Sequence, residues 1–320
     1  MRSVAGGVMR HAATIAYTLK SARLAAGSVY ASGARYPIRR LRTGYPGVAP
    51  VDIPQATLCT SPAGDRYFGH FLTEDLLHVM IAADFGEPIR LEPVRDWPHA
   101  PVYREAFELA WRDLAAGAFE TLTFFSDYAQ NGLRRRRYRD LRARLRRTMS
   151  ARPPGRRVYL RRPAAMSPPF RVDVDEAGDA PLPALIERTP LNEAEVAAAL
   201  ERRGYQILDT ASSSPRALVE GLIDAEIIVG VEGSHLMHGV YTIADDGGVL
   251  IMMPPMRPTI QAKDRYDALG IPCAIVVGED LGSRYRIAVD DLNRALDLLE
   301  SRVERGERAS RRAAIQDAVT

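Results

Sequence analysis

From Ala56 onward the chain alternates short apolar runs with stretches of helical period. QATLCTSP predicts a strand, and GHFLTEDLLHVMIAADFG repeats apolar residues at three- and four-residue spacing up to Gly86, the pattern of an amphipathic helix closed by glycine. PIRLEPV predicts the next strand, YREAFELAWRDLAAG a helix and FETLTFF a strand. A second run follows: strand RRVYLRR, helix LNEAEVAAALERRG stopping at Gly204, strand YQILDT, helix PRALVEGLIDA, then buried strands EIIVGVEGS, VLIMMPP and IPCAIVVGE. VDDLNRALDLLESRVERGE predicts a terminal helix. Strands and helices in alternation predict an α/β protein.

Residues 1–54 have no strong period and carry turn signals at Gly44, Pro46, Gly47 and Pro50, so they are expected to form an N-terminal extension of helical character. SARPPG, Ser150 to Gly155, reads as a linker. The expected division is a Rossmann-like domain over 55–150, a second Rossmann-like domain over 156–290, and a C-terminal helix and tail over 291–320, with ligands at the carboxyl ends of the strands.

Composition adds exclusions. No apolar stretch is long enough to span a bilayer, and Arg10, His11, Lys20 and Arg23 interrupt the N-terminal apolar runs, unlike the core of a signal peptide. Two cysteines, Cys59 and Cys273, build neither a disulfide framework nor a CxxC metal knuckle, which favours a reducing, cytoplasmic setting. The net charge of +3 decides little, but positive charge crowds the stretch from Arg134 to Arg147. Two readings stay open there: a solvated helix face, or a surface for anionic lipid or a phosphorylated acceptor at the inner face of a membrane. Aromatic interleaving is poor and no nucleic-acid motif surrounds the run, so no nucleic-acid partner is expected.

Three constellations carry candidate chemistry. In EIIVGVEGSHLMHG a buried strand enters Glu232-Gly233-Ser234-His235 and a helix-like segment, where free N–H groups favour an anion. The spacing is not GxGxxG and no GxxxxGK[ST] occurs, which argues against a dehydrogenase and a P-loop enzyme. Arg162 ends the strand RRVYLRR, in reach of a diphosphate, while Asn192 stands where a helix N-cap would and Glu195 in the first turn. In RYFGHFLTEDLLHVM, His70, Glu74 and His78 share a helix face at four-residue steps. That spacing is not HExxH, so no metal is expected; His70 and Glu74 suit a general base and its orienting partner in either assignment. Asp173-Val174-Asp175 spells DxD but lies in a proline-flanked stretch and is read as coincidental.

These stretches together resemble glycosyltransferase family 61: FGHFLTEDL its HFLTE helix, and VYLRR with RTPLNEAEV its R…R-x-x-x-NE-x-E segment, on which Arg188, Asn192, Glu193 and Glu195 fall in order. The resemblance covers about Thr57 to Pro255 and departs at the turn, where Gly230-Val231-Glu232-Gly233-Ser234-His235-Leu236 stands against G-x-H-G-A-x-L in many members. In this it is similar to a bacterial subgroup associated with capsular polysaccharide synthesis.

The resemblance implies two Rossmann-like domains in a GT-B arrangement with an active-site cleft between them, and inverting transfer from a nucleoside-diphosphate sugar, UDP-linked first of all, to a glycan or lipid-linked glycan hydroxyl. Donor contacts are expected from Arg162, Arg188, Asn192, Glu195, Glu232, Gly233, Ser234 and His235, and the base from His70 or Glu74, with no required cofactor. The alternative is a non-catalytic glycan- or nucleotide-binding component of a polysaccharide assembly complex, docked through the Arg134–Arg147 run.

Overall fold

Ala26-Gly27 and Ser32-Gly33 each have positive φ at both residues, the geometry of the two-residue turns that fit twisted antiparallel strands. They join β1 (Ile15–Ala25), β2 (Ser28–Ala31) and β3 (Ala34–Pro37) into a meander. The structure, a computed structural model, describes residues 11–39, 50–93, 97–149, 153, 155–162, 188–282 and 284–319, with the backbone alone over 307–319. Over residues 15–37 the expected helical extension is therefore a set of strands. β1 pairs along β7 from Ile15↔Ser126 to Leu24↔Gly117, so its backbone groups are satisfied in a ladder.

The chain forms two compact units, one of Met1–Asp96 with Leu109–Asp140 and one of Trp97–Glu108 with Leu141–Thr320. In the first, β4 (Val51–Leu58) is followed by α1 (Phe68–His70), a π-helical turn (Phe71–Asp75) and α2 (Leu76–Ala82), then β5 (Glu87–Leu91). The chain next forms α3 (Ala100–Ala106), part of the second unit, and returns as β6 (Arg112–Leu114) and β7 (Gly117–Ser126). The helix expected from YREAFELAWRDLAAG thus stops at Ala106; Glu108 takes φ +53 and the remainder turns into β6. The seven-stranded sheet has the order β3-β2-β1-β7-β4-β5-β6. β7, β4, β5 and β6 are parallel and β1 to β3 antiparallel, so this unit departs from a Rossmann-like sheet by its added meander. Leu24, Ile53, Leu58, Ile89, Phe119 and Leu122 belong to its core.

α4 (Gly132–Thr148) crosses the division between the units at Asp140 and Leu141. The linker expected at Ser150 to Gly155 lies mostly outside the described residues, as does the whole of Asp173-Val174-Asp175. The basic run on α4 is not a uniformly solvated face. Arg134, Arg137 and Arg142 are buried. Arg134 and Arg137 donate to the carbonyls of Thr73 and Leu77 and reach Asp127, at 3.5 and 2.8 Å. In the second unit, Arg142 donates to Val240 O at 2.8 Å and Ile243 O at 2.6 Å, and Arg146 to Asp224 at 2.8 Å. Guanidinium has five donors in a fixed fork, which suits it to satisfy orphaned helix and loop carbonyls. Arg135, Arg136, Arg139 and Arg147 remain exposed.

The second unit continues with β8 (Arg157–Arg161), α5 (Glu193–Arg202), β9 (Gln206–Asp209), α6 (Pro215–Leu222) and β10 (Ile227–Val231). A 3₁₀ turn (Ser234–His238) and α7 (Gly239–Thr242) lead to β11 (Gly248–Met253), α8 (Gln261–Ala268) and β12 (Cys273–Val277). A two-stranded ribbon of β13 (Glu279–Asp280) and β14 (Tyr285–Arg286) precedes α9 (Val289–Val319). The sheet order is β12-β11-β10-β8-β9, with every pairing parallel. This is the doubly wound order in which connections leave β8 and β10 toward opposite sides, opening a crevice at their carboxyl ends. β10 and β11 are apolar and wholly buried, as strands covered on both faces must be. Among the described residues, no helix is long and apolar enough to cross a membrane.

Candidate active-site residues in each unit

In the first unit the chemistry gathers after β4. The helix of FGHFLTEDLLHV contains a π turn, with the Leu76 N–H reaching back to Phe71 O. One extra residue in that turn releases a carbonyl from the ladder, a feature frequent at functional sites. Thr73 O accepts from Tyr138 Oη at 3.1 Å and from Arg134. His70 Nδ1 lies 2.6 Å from Glu74 Oε1, and Ser61 Oγ donates to Glu74 Oε2 at 3.0 Å. Each carboxylate oxygen therefore faces a donor, which fits an ionised Glu74, a proton on His70 Nδ1 and a basic Nε2. The His70 side chain is 22% exposed and Glu74 is buried.

Ser61 is itself fixed. Its N–H donates to Asp75 Oδ1 at 2.9 Å and its Oγ accepts from Gly64 N at 2.8 Å. A Cβ on Gly64 would lie 2.1 Å from Asp75 Oδ1, so only glycine lets this loop close on the helix. Arg90 donates to Asp75 Oδ2 at 3.3 Å while its guanidinium stacks over Phe71, 4.5 Å from the ring centre. Burial, only partly offset by Arg90, pushes the Asp75 carboxyl up to about 7. His78 faces elsewhere: it donates to Cys59 O at 3.3 Å and is pushed down to about 4, first by burial.

In the second unit the crevice at the ends of β8 and β10 carries the positive charge. A Cβ on Gly233 would stand 2.9 Å from Arg162 Nη1, 3.2 Å from His235 Nδ1 and 3.4 Å from Arg188 Nη1. Three donor groups therefore converge on bare backbone. Gly233 has φ +156 and ψ 176, a region essentially reserved for glycine. His235 is 9% exposed, and neither ring nitrogen has a hydrogen-bond partner among the described residues. Burial, then Arg162 and Arg188, hold it well below the ordinary histidine value. Burial likewise lowers Arg162, with Arg257 adding to the effect and Glu232 opposing it. Arg257 donates to Glu232, and Ser234 opens the 3₁₀ turn.

Asn192 and Glu195 serve a different purpose. Asn192 makes no cap bond to its helix. It grips the segment before α9, donating to Ile287 O at 2.8 Å and accepting from Ile287 N at 3.0 Å, and also donates to Glu195 at 3.0 Å. Glu195 is half exposed, 4.0 Å from Arg286. Neither joins the hydrogen bonds and contacts that gather Arg162, Arg188, Glu232 and His235. Glu193 ties α5 to β8, accepting from Tyr159 Oη at 3.2 Å and Arg161 at 2.8 Å.

Sequence reading missed Ser61, Asp75, Arg90 and Arg257. The TSP turn directly after a strand was the signal for Ser61; Arg257 had none, since it comes from a different loop. It also missed His238, which bonds Tyr103 Oη through Nδ1 at 2.6 Å and packs edge-on against His99. Among the described residues no group of three or more His, Cys, Asp or Glu is placed to hold a metal ion.

The Glycosyltransferase 61 family profile matches residues 68–256, a span holding every residue of both constellations except Ser61, Gly64 and Arg257. The chain belongs to glycosyltransferase family 61. It is accordingly a glycosyltransferase by family, with a sugar donor and a glycan acceptor as its substrate classes. A comparison with curated proteins finds no match.

Proposed function

We propose that this family member is an inverting transferase that moves a sugar from a nucleoside-diphosphate donor, UDP-linked first of all, to a hydroxyl of a polysaccharide or lipid-linked glycan in the cytoplasm, as in capsular polysaccharide assembly. In the manner of a GT-B enzyme, the second unit holds the donor and the first supplies the base. The observation that carries the reading is the convergence of Arg162, Arg188 and His235 on Gly233 at a strand-end crevice. Two guanidinium groups and an unsatisfied buried imidazole suit a diphosphate, whose charge grows as the sugar leaves.

The hydrogen bonds of His70 support its choice as the base. A hydroxyl is hardly ionised near neutral pH, so an acceptor needs a proton taken as it attacks. With Nδ1 held by Glu74, His70 takes that proton at Nε2, and Glu74 stabilises the imidazolium that forms. The acceptor oxygen bonds the anomeric carbon from the face opposite the diphosphate. The diphosphate departs with the bonding electrons toward Arg162 and Arg188.

The test is turnover of a panel of nucleotide sugars with glycan acceptors, with the product anomer read by NMR. Inverted configuration is expected, together with a loss of about a hundredfold or more in kcat for His70→Ala at unchanged donor affinity. Retained configuration, or a His70→Ala enzyme that turns over normally, overturns it.

A further inference from the structure

A shallow recess in the first unit is lined by Tyr36, Leu58, Ser61, Phe124, Phe125 and Tyr128, among others. Its place follows from topology. β4 and β7 are parallel neighbours, but the chain leaves β4 toward β5 on one side, while β7 has β1 on the other. Leu58, Ser61, Phe124 and Tyr128 belong to the carboxyl ends of these two strands or the loops just beyond.

The rim is aromatic and open. Phe124 is sandwiched between Tyr17 and Tyr36, at 5.5 and 5.4 Å between ring centres and near-parallel planes. The meander curls far enough to bring Tyr36 of β3 onto a residue of β7. Tyr36 is 46% and Tyr128 60% exposed, an unusual concentration of apolar rings left to solvent. Tyr128 stands on a fixed stem: its neighbour Asp127 is buried, accepting from Thr14 at 2.5 Å and from Arg137 at 2.8 Å. Its phenol is raised by partial burial first, then by Tyr36, Glu74 and Asp75. The polar wall is Ser61, whose hydroxyl donates to Glu74.

We propose that the mouth of this recess is a saccharide subsite across which one ring of the glycan acceptor lies, its C–H face against Tyr36 and Tyr128 and its hydroxyls toward Ser61 and the Glu74 that Ser61 bonds. Sugars combine an apolar ring face with a hydroxylated edge, and a site for them needs aromatic surface beside a few fixed polar groups. The recess offers both within one unit. It rests on the glycosyltransferase reading above and names where the acceptor sits in it.

The test is saturation-transfer NMR on the full chain with the methyl glycosides of glucose, galactose, N-acetylglucosamine and xylose, with UDP affinity measured on the same samples. At least one glycoside is expected to receive transfer at its ring C–H protons. Tyr128→Ala and Tyr36→Ala are each expected to weaken binding by up to about tenfold, Tyr128→Phe to retain it, and UDP affinity to stay unchanged. No transfer to any of the four, or a Tyr36→Ala/Tyr128→Ala double variant that binds them like the wild type, overturns the subsite. His70→Ala separates the two claims: glycoside binding persisting while turnover is normal sinks the base and leaves the subsite standing.

Discussion

Substituting alanine at Gly233 tests the anion site with one methyl group. The backbone there, at φ +156 and ψ 176, costs a residue with a Cβ about 1–3 kcal/mol. The added Cβ would also stand 2.9 Å from Arg162 Nη1 and 3.2 Å from His235 Nδ1, too close to leave either in place. Both are ends of side chains, so the overlap is relieved by moving them rather than by breaking the core. Stability should therefore fall by no more than the backbone cost, while diphosphate affinity loses two or more charge-assisted hydrogen bonds, each worth about 1.5–3 kcal/mol. That amounts to at least a hundredfold in Kd, with about 1.4 kcal/mol for each tenfold. Gly248→Ala is the control, because its Cβ would meet Leu299 and Val303 at 2.9 Å. Overpacking there costs about 1–3 kcal/mol of stability and leaves the nucleotide site alone. Urea unfolding gives the stability of each variant and calorimetric titration with UDP the affinity. UDP binding by Gly233→Ala within threefold of wild type would refute the placement of the diphosphate.

Glu74→Gln should keep the fold yet lower kcat, because the amide carries no charge to stabilise an imidazolium at His70; normal kcat would remove Glu74 from the mechanism. Arg142→Met should cost about 1–3 kcal/mol, since Val240 O would be left buried without its donor while Ile243 O keeps Arg146, and a urea midpoint equal to wild type would contradict that. The contribution of His78 to folding should weaken as pH falls below 6.5. His78 is held neutral down to about 4, so between those values its site in the unfolded chain binds more protons and its contribution rises with pH, on the order of 3 kcal/mol across the window. His235 and His238 act in the same sense and Asp75, raised to about 7, in the opposite one, so the readout is the difference from a variant: His78→Gln should lower the slope of urea midpoint against pH, and an unchanged slope would count against a neutral His78. Replacing the exposed Arg135, Arg136 and Arg139 by serine should reduce any binding to anionic vesicles at low salt without touching stability. Equal vesicle binding would exclude that face from the membrane reading.

The apolar runs of β8, β10 and β11 were legible because strands covered on both faces admit few polar residues. The glycine-bearing turn after β10 was legible because a buried strand running into Gly-Ser marks a strand-end turn. His70 and Glu74 were legible because four-residue spacing on a helix leaves few outcomes but contact. The meander was not, since β1 has one sparse face and only its pairing with β7 makes it a strand; the Ala-Gly and Ser-Gly pairs at its turns were the available signal. The arginines of α4 show the limit most clearly. A sequence counts their charges, but whether guanidinium faces water or a buried carbonyl depends on where loops from elsewhere in the chain leave unpaired oxygens. Asn192 teaches the same point: its place before a helix suggests a cap, while Ile287, 95 positions away, takes both its donor and its acceptor. Local period and turn chemistry are written in neighbouring residues. The fate of a polar side chain is decided by partners that only the folded chain brings within hydrogen-bond reach.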